Sequence, residues 1–222
     1  MRLPLFALLA ASLFCHAETP PPAKALPRVL IIGDSISMGY TPHVAAGLKG
    51  DAVVAHNEGN AAHTGNGLLK IDAWLGTNRW DVIHFNFGLH DLCYRRQDPA
   101  KKNPKDKVGG TVTNTPEKYG QNLELLVQRL EKTGAKLVWA STTVVPDKEP
   151  GRFVGDDVKY NAVAEKIMKA HGIPINDLHA LSAGFAPSEF AGRGDVHYTE
   201  AGYKKLAGQV VAAIRTALPP TR

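Results

Sequence analysis

The chain has 222 residues, of which 44% are apolar and 21% charged. That is ample for one α/β domain with a full core, and it excludes a disordered or repetitive chain. A net charge of +5, without a basic helix or interleaved aromatic and basic residues, argues against a nucleic-acid partner.

The N-terminus reads separately from the rest. Arg2 precedes the apolar stretch Leu3 to Phe14, and Cys15-His16-Ala17 follow with small residues placed for a cut after Ala17. Residues 1–17 are therefore expected to be a secretory signal, too short to span a bilayer stably. The bulky Phe14 disfavours a lipoprotein cut at Cys15. Residues 18–27 read as a flexible Pro-rich lead-in, and 28–222 as the working domain. The expected destination is secreted or periplasmic, with no stable membrane insertion. Cleavage leaves Cys93 as the lone cysteine, expected to be a packed thiol in a fold without a disulfide.

From there strands and helices alternate. Val29–Ile32 is an apolar run of the kind buried on both faces of a parallel sheet, and Gly33-Asp34-Ser35-Ile36-Ser37 ends it. A second strand, Ala52–Ala55, leads into Asn57-Glu58-Gly59-Asn60. A helix carrying Leu68, Ile71 and Leu75 stops at Gly76. Val82–Phe87 is the third strand and runs into Gly88-Leu89-His90-Asp91. A long polar segment, Tyr94 to Asn114, precedes Thr115-Pro116-Glu117, an N-cap with a first-turn Pro and an acid. The helix that follows carries Tyr119, Leu123, Leu126 and Leu130. Leu137–Ala140 is the fourth strand. A helix over about 156–171, a short strand or turn at Ile175–Leu178 and a last helix from about Thr199 complete the chain. Alternating strands and amphipathic helices predict a three-layer α/β/α sandwich with a parallel sheet. Its working residues should gather where the strands end, and the loops holding Ser35, Gly59 and His90-Asp91 all fall there.

Ser35 sits where a strand hands over to a helix, a good place for a nucleophile, although an Asp-Ser turn also caps helices. A serine attacks only when a base takes its proton. Of nine histidines, His43, His171 and His179 lie near helix ends, His84 falls inside the third strand, and His16 belongs to the signal. His197 differs: it stands just before the last helix with Asp195 two residues upstream, and a carboxylate there can hold its tautomer. The histidines are dispersed and no Cys/His spacing suggests a metal site. The first loop lacks the phosphate-cradling run of a flavodoxin-type cofactor site, so no cofactor is expected.

Gly33-Asp34-Ser35-Ile36, Gly59, Gly88-x-x-Asp91 and the late Asp195/His197 pair, in that order over essentially the whole mature chain, resemble the SGNH (GDSL-type) hydrolase superfamily. The resemblance implies a flavodoxin-like sheet, Ser35 as nucleophile and His197 as general base. It also implies an oxyanion hole built from the Ser35 N–H, the Gly59 N–H and a third-block side chain. The family has Asn where this chain has His90. A neutral imidazole offers one N–H, so His90 either donates to the oxyanion or is structural; a protonated ring would donate more strongly and favour activity in acid. The family's acid stands three residues before the histidine, where Gly194 lies here, so either Asp195 orients His197 or a backbone carbonyl does. Asp34, Asn60 and Asp91 are candidate substrate contacts, and Asn57, His63, Thr64 and Asn66 add polar groups beside the second block. The segment from Arg95 to Lys107 is either a solvated loop or a basic rim that attracts an anionic sugar chain.

The expected activity is removal of a small acyl group, acetyl foremost, from a carbohydrate through a Ser35 acyl-enzyme. A lipid esterase or thioesterase is the nearest alternative and would need an apolar groove. A non-hydrolytic glycan-binding or lyase-type relative is the other.

Overall fold

The computed structural model describes residues 25–102 and 104–219; the expected signal and most of the lead-in lie outside them. The elements in order are β1 (Arg28–Ile32), α1 (Ser35–Gly47), β2 (Val53–His56), α2 (Thr64–Leu75), β3 (Val82–Phe85), β4 (Tyr94–Arg95) and β5 (Thr111–Val112). They continue with α3 (Pro116–Glu131), β6 (Lys136–Ala140), α4 (Asp156–Ala170), β7 (Ile175–Asn176), α5 (Leu178–Ala183) and α6 (Glu200–Ala217).

Five of the strands form one parallel sheet in the order β2-β1-β3-β6-β7. Central β1 is buried from Val29 to Ile32, as a strand covered on both faces must be. One face is covered by α1 and α6, the other by α2, α3 and α4. The layers approach closely: a Cβ at Gly39 on α1 would run into the Tyr203 ring on α6. Strand order reverses between β1 and β3, and a crevice at such a switch point is where open α/β sheets hold ligands. Register sets Ile32 beside Phe85, so the loops after β1 and β3 leave the sheet side by side. The three-layer, flavodoxin-like order is the one expected.

Details shift. β2 starts at Val53 and runs to His56, and β3 ends at Phe85, beyond which Asn86 donates from its carboxamide to Ala140 O at 2.7 Å. After the two-residue β7, Asp177 accepts from Ala180 N at 3.0 Å and starts α5, a short helix the sequence reading lacked. His84 is fully buried with its Nε2 3.1 Å from Asn176 Nδ2. His179 is half-buried against Asp157 at 2.7 Å, and His171 bridges Glu124 and Glu131 at 2.9 Å each. Cys93 is buried, as expected of a packed thiol. Among the described residues no helix is long and apolar enough to cross a membrane.

The larger correction concerns Tyr94 to Asn114. This segment is not a loose loop: β4 and β5 pair as an antiparallel hairpin, with Arg95 opposite Thr111. Backbone bonds bolt the hairpin down, from Tyr94 N to Gly151 O (2.7 Å), Lys107 N to Pro150 O (3.0 Å) and Thr113 N to Cys93 O (3.0 Å). Its charges are used locally. Arg96 pairs with Asp106 (2.9 Å) and Lys105 with the buried Glu149 (3.0 Å).

Candidate active site

Asp34 is the N-cap of α1, its Oδ1 accepting from Ile36 N at 2.9 Å. Ser35 is thereby the first residue of the helix, partly exposed at the sheet edge, where a backbone N–H has no intrahelical acceptor. The second loop is fastened to the first by Asn57. Its Oδ1 accepts from Gly33 N (2.8 Å) and its Nδ2 donates to Gly59 O (2.9 Å). Gly59 itself is exposed with φ +67°, a backbone that favours glycine.

Ser35 Oγ lies 2.9 Å from His197 Nε2, although 162 residues separate them. On the other side of the ring, His197 Nδ1 is 2.6 Å from Asp195 Oδ1, which also accepts from His197 N at 3.0 Å. A carboxylate only accepts, so the Nδ1 proton belongs to the bond with Asp195 and Nε2 is left to receive the Ser35 proton. Burial works against charge on Asp195, but the two bonds from His197 outweigh it and hold the carboxyl below its usual range. Of the two ways to orient His197, the structure contains the carboxylate. Gly194 explains why the acid is not one residue earlier. It has φ +76°, and a Cβ there would lie 2.7 Å from Lys148 O, so the position packs as bare backbone on the neighbouring loop.

His90 follows β3 and closes the corner, with Nε2 4.0 Å from Asp34 Oδ2. Burial pushes its ring down to about 4; Asp34 opposes this and Arg152, Arg95 and His63 add to it. The ring is therefore neutral at ordinary pH and offers one N–H. The protonated ring, the form that would favour activity in acid, is thereby disfavoured. Beneath it, Arg152 donates from Nε to Leu89 O and pairs through NH1 with Glu149, both at 2.6 Å and fully buried. Sequence reasoning missed this pair, whose two charged residues carry no local motif.

A cleft of about 290 Å³ opens beside His90. It is lined by His63, Arg95, Gln97, Thr111 and Thr113, with Val112 the single apolar side chain.

Asp91 is not a substrate contact. It is fully buried and accepts from Thr64 N (3.0 Å), Thr64 Oγ1 (2.6 Å) and Asn114 Nδ2 (2.7 Å), tying α2 to the loop before α3. Burial lifts its carboxyl to about 6 despite these donors. Asp34 is likewise buried and engaged in capping. Asn57, Thr64 and Asn66 are spent on local bonds; only Asn60, exposed with its Oδ1 on Ala62 N (2.8 Å), and His63 face outward near the site.

A second serine–histidine pair adjoins the first. Ser37 Oγ is 2.6 Å from His56 Nε2, and His56 Nδ1 is 2.7 Å from Asn57 O. Ser37 is 2% exposed and also bonds Asp34 O at 2.8 Å. This pair therefore ties the first loop to the second and cannot meet an ester.

The fold compares closely with solved hydrolases. An acetyl xylan esterase, AlAXEase, is 17% identical with a TM-score of 0.66, covering 84% of this chain and 99% of its own. A lipase/acylhydrolase from Enterococcus faecalis is 19% identical with a TM-score of 0.71, covering 89% and 100%. An α/β hydrolase from the metagenome of Lake Arreo, Spain, is 16% identical with a TM-score of 0.68, covering 88% and 98%. At these identities the likeness is one of fold. No curated protein matches the chain. The model of the GDSL-like lipase/acylhydrolase family matches residues 31–205, a span that begins inside β1, takes in every loop described above and ends in α6. The chain belongs to that family and is an ester hydrolase of the SGNH type.

Proposed function

We propose that this enzyme removes a small acyl group, acetyl foremost, from a carbohydrate, and that it works outside the cytoplasm after losing residues 1–17. The observation that carries the substrate class is the cleft at His90: six of its seven lining side chains are polar. A polar cleft hydrogen-bonds a sugar and offers a fatty chain nothing to bury against. His197 and Asp195 keep 39% and 44% of their side-chain surface exposed, an open arrangement that admits an ester on a chain too large to enclose. The acetyl xylan esterase named among the neighbours is consistent with this class. Export rests on the charged and apolar pattern of the first residues.

In this reading Ser35 Oγ attacks the ester carbonyl carbon and its proton passes to His197 Nε2. The carbonyl oxygen becomes an oxyanion, held by the N–H groups of Ser35 and Gly59 and by the His90 ring. Collapse expels the sugar oxygen, which takes the proton from His197 and leaves an acyl-Ser35. Water then repeats the sequence, releasing the acid and restoring the serine. An acyl-release screen over acetylated polysaccharides, anionic ones included, tests the substrate class. Acetate release abolished by Ser35→Ala is the expected result; release from lipid or thioester substrates alone contradicts the reading.

A further inference from the structure

The loops after β2 and β3 are tied together one residue away from the cleft. Thr64 donates from N and Oγ1 to Asp91, so His63 and His90, the residues just before these two, border one cleft at a fixed spacing. His63 is itself held in place. Ala62, before it, has φ +55°, a left-handed backbone that residues with a Cβ seldom adopt. The Ala62 N–H is taken by Asn60 Oδ1 at 2.8 Å. The His63 side chain then caps α2, its Nδ1 accepting from Asn66 N at 3.3 Å. A Cβ at Gly65 would come 3.2 Å from that Nδ1, so the ring lies close over the first turn of the helix.

An Nδ1 that accepts carries no proton, and the neutral ring therefore has its hydrogen on Nε2. Burial, with the Arg95 guanidinium adding to it, lowers the His63 pKa and favours this neutral form. Nothing among the described residues accepts from Nε2. Elsewhere in the cleft Thr113 spends its hydroxyl on Cys93 O at 2.8 Å, while Thr111 and Gln97 are surface side chains. Resting on the carbohydrate-esterase reading, we infer that His63 is a specificity-determining residue, whose Nε2–H donates to a hydroxyl or ether oxygen of the sugar that bears the ester. A donor already fixed by its cap loses little freedom when substrate arrives. A fatty acyl chain offers it no acceptor.

The test compares kcat/KM for acetylated xylotriose, mannotriose and trigalacturonate with that for p-nitrophenyl acetate, in the parent chain and in His63→Ser. Serine is among the preferred N-caps, so α2 keeps its cap while the Nε2 donor is lost. The preference for the best trisaccharide over the aryl ester should fall about three- to tenfold, the worth of one neutral hydrogen bond. The loss should lie in KM rather than kcat. An unchanged preference, or a fall in kcat of equal size on both kinds of ester, overturns the inference alone. A parent that cleaves the aryl ester and none of the trisaccharides contradicts the carbohydrate reading, and the inference with it. A second measurement needs no variant: imidazole nitrogen NMR of the full chain should show the His63 proton on Nε2 at neutral pH, and a proton on Nδ1 instead overturns the inference.

Discussion

Asp195 reaches His197 across one intervening residue by folding its carboxylate back onto its own loop, where the His197 N–H and the ring share one oxygen. Asp195→Asn would leave that turn largely intact but reward the wrong imidazole tautomer. kcat should fall by up to about 10⁴-fold with little change in KM, as steady-state kinetics would register. His90 carries the least conventional part of the proposed mechanism. His90→Ala should lower kcat by about 10²–10³, the usual loss for one oxyanion donor, while His90→Asn should recover most of it. The pH profile separates the roles further. Burial holds His90 at about 4, so the profiles of the parent and His90→Asn should superpose above pH 5. A limb in the parent near neutrality that disappears in His90→Asn would show that the ring titrates where it is expected to be neutral.

Between elements, two buried charges hold the loops at the sheet edge. Arg152 braces the turn after β3 through Leu89 O and neutralises Glu149. Arg152→Met leaves a buried carboxylate with Lys105 and the Gly151 N–H as its remaining partners, and should lower stability by about 3 kcal/mol in denaturant unfolding. Asp91 acts in the opposite sense. Its folded-state value of about 6 lies above that of an unfolded chain, so the folded form holds the extra proton between roughly pH 4 and 6. Stability from this group is therefore greatest below that window and declines as pH rises through it. Asp91→Asn should flatten that slope, by about 3 kcal/mol across the window. Its carbonyl oxygen can still accept from Thr64 and Asn114. An unchanged slope in the variant would mean that the carboxylate is comfortable where it lies.

Across the whole molecule, what could be read beforehand was what repeats with the period of a strand or helix, or sits at a strand's end. β1, Ser35 and the late histidine announce themselves because hydrophobic runs and turn residues are local signals. The hairpin from Tyr94 to Thr113 did not: its strands are two residues each, too short for alternation to register, and its anchors at Gly151 and Pro150 are some fifty residues away. The polar residues around the second loop were legible as polar but not as spent. Whether Asn57 or Thr64 faces substrate or backbone depends on partners that sequence spacing cannot supply. For the same reason the Arg152–Glu149 pair and the Asp91 node emerge only in three dimensions.

The fold sets two serine–histidine pairs side by side, Ser35 with His197 and Ser37 with His56, and catalysis requires that the first hydroxyl be the activated one. Reaction with a fluorophosphonate, followed by mass spectrometry of the peptide spanning residues 28–49, reads the answer directly. The expected result is a single phosphonyl group on Ser35, lost in His197→Ala and retained in His56→Ala. An adduct on Ser37, or a Ser35 adduct that forms equally well without His197, would contradict it.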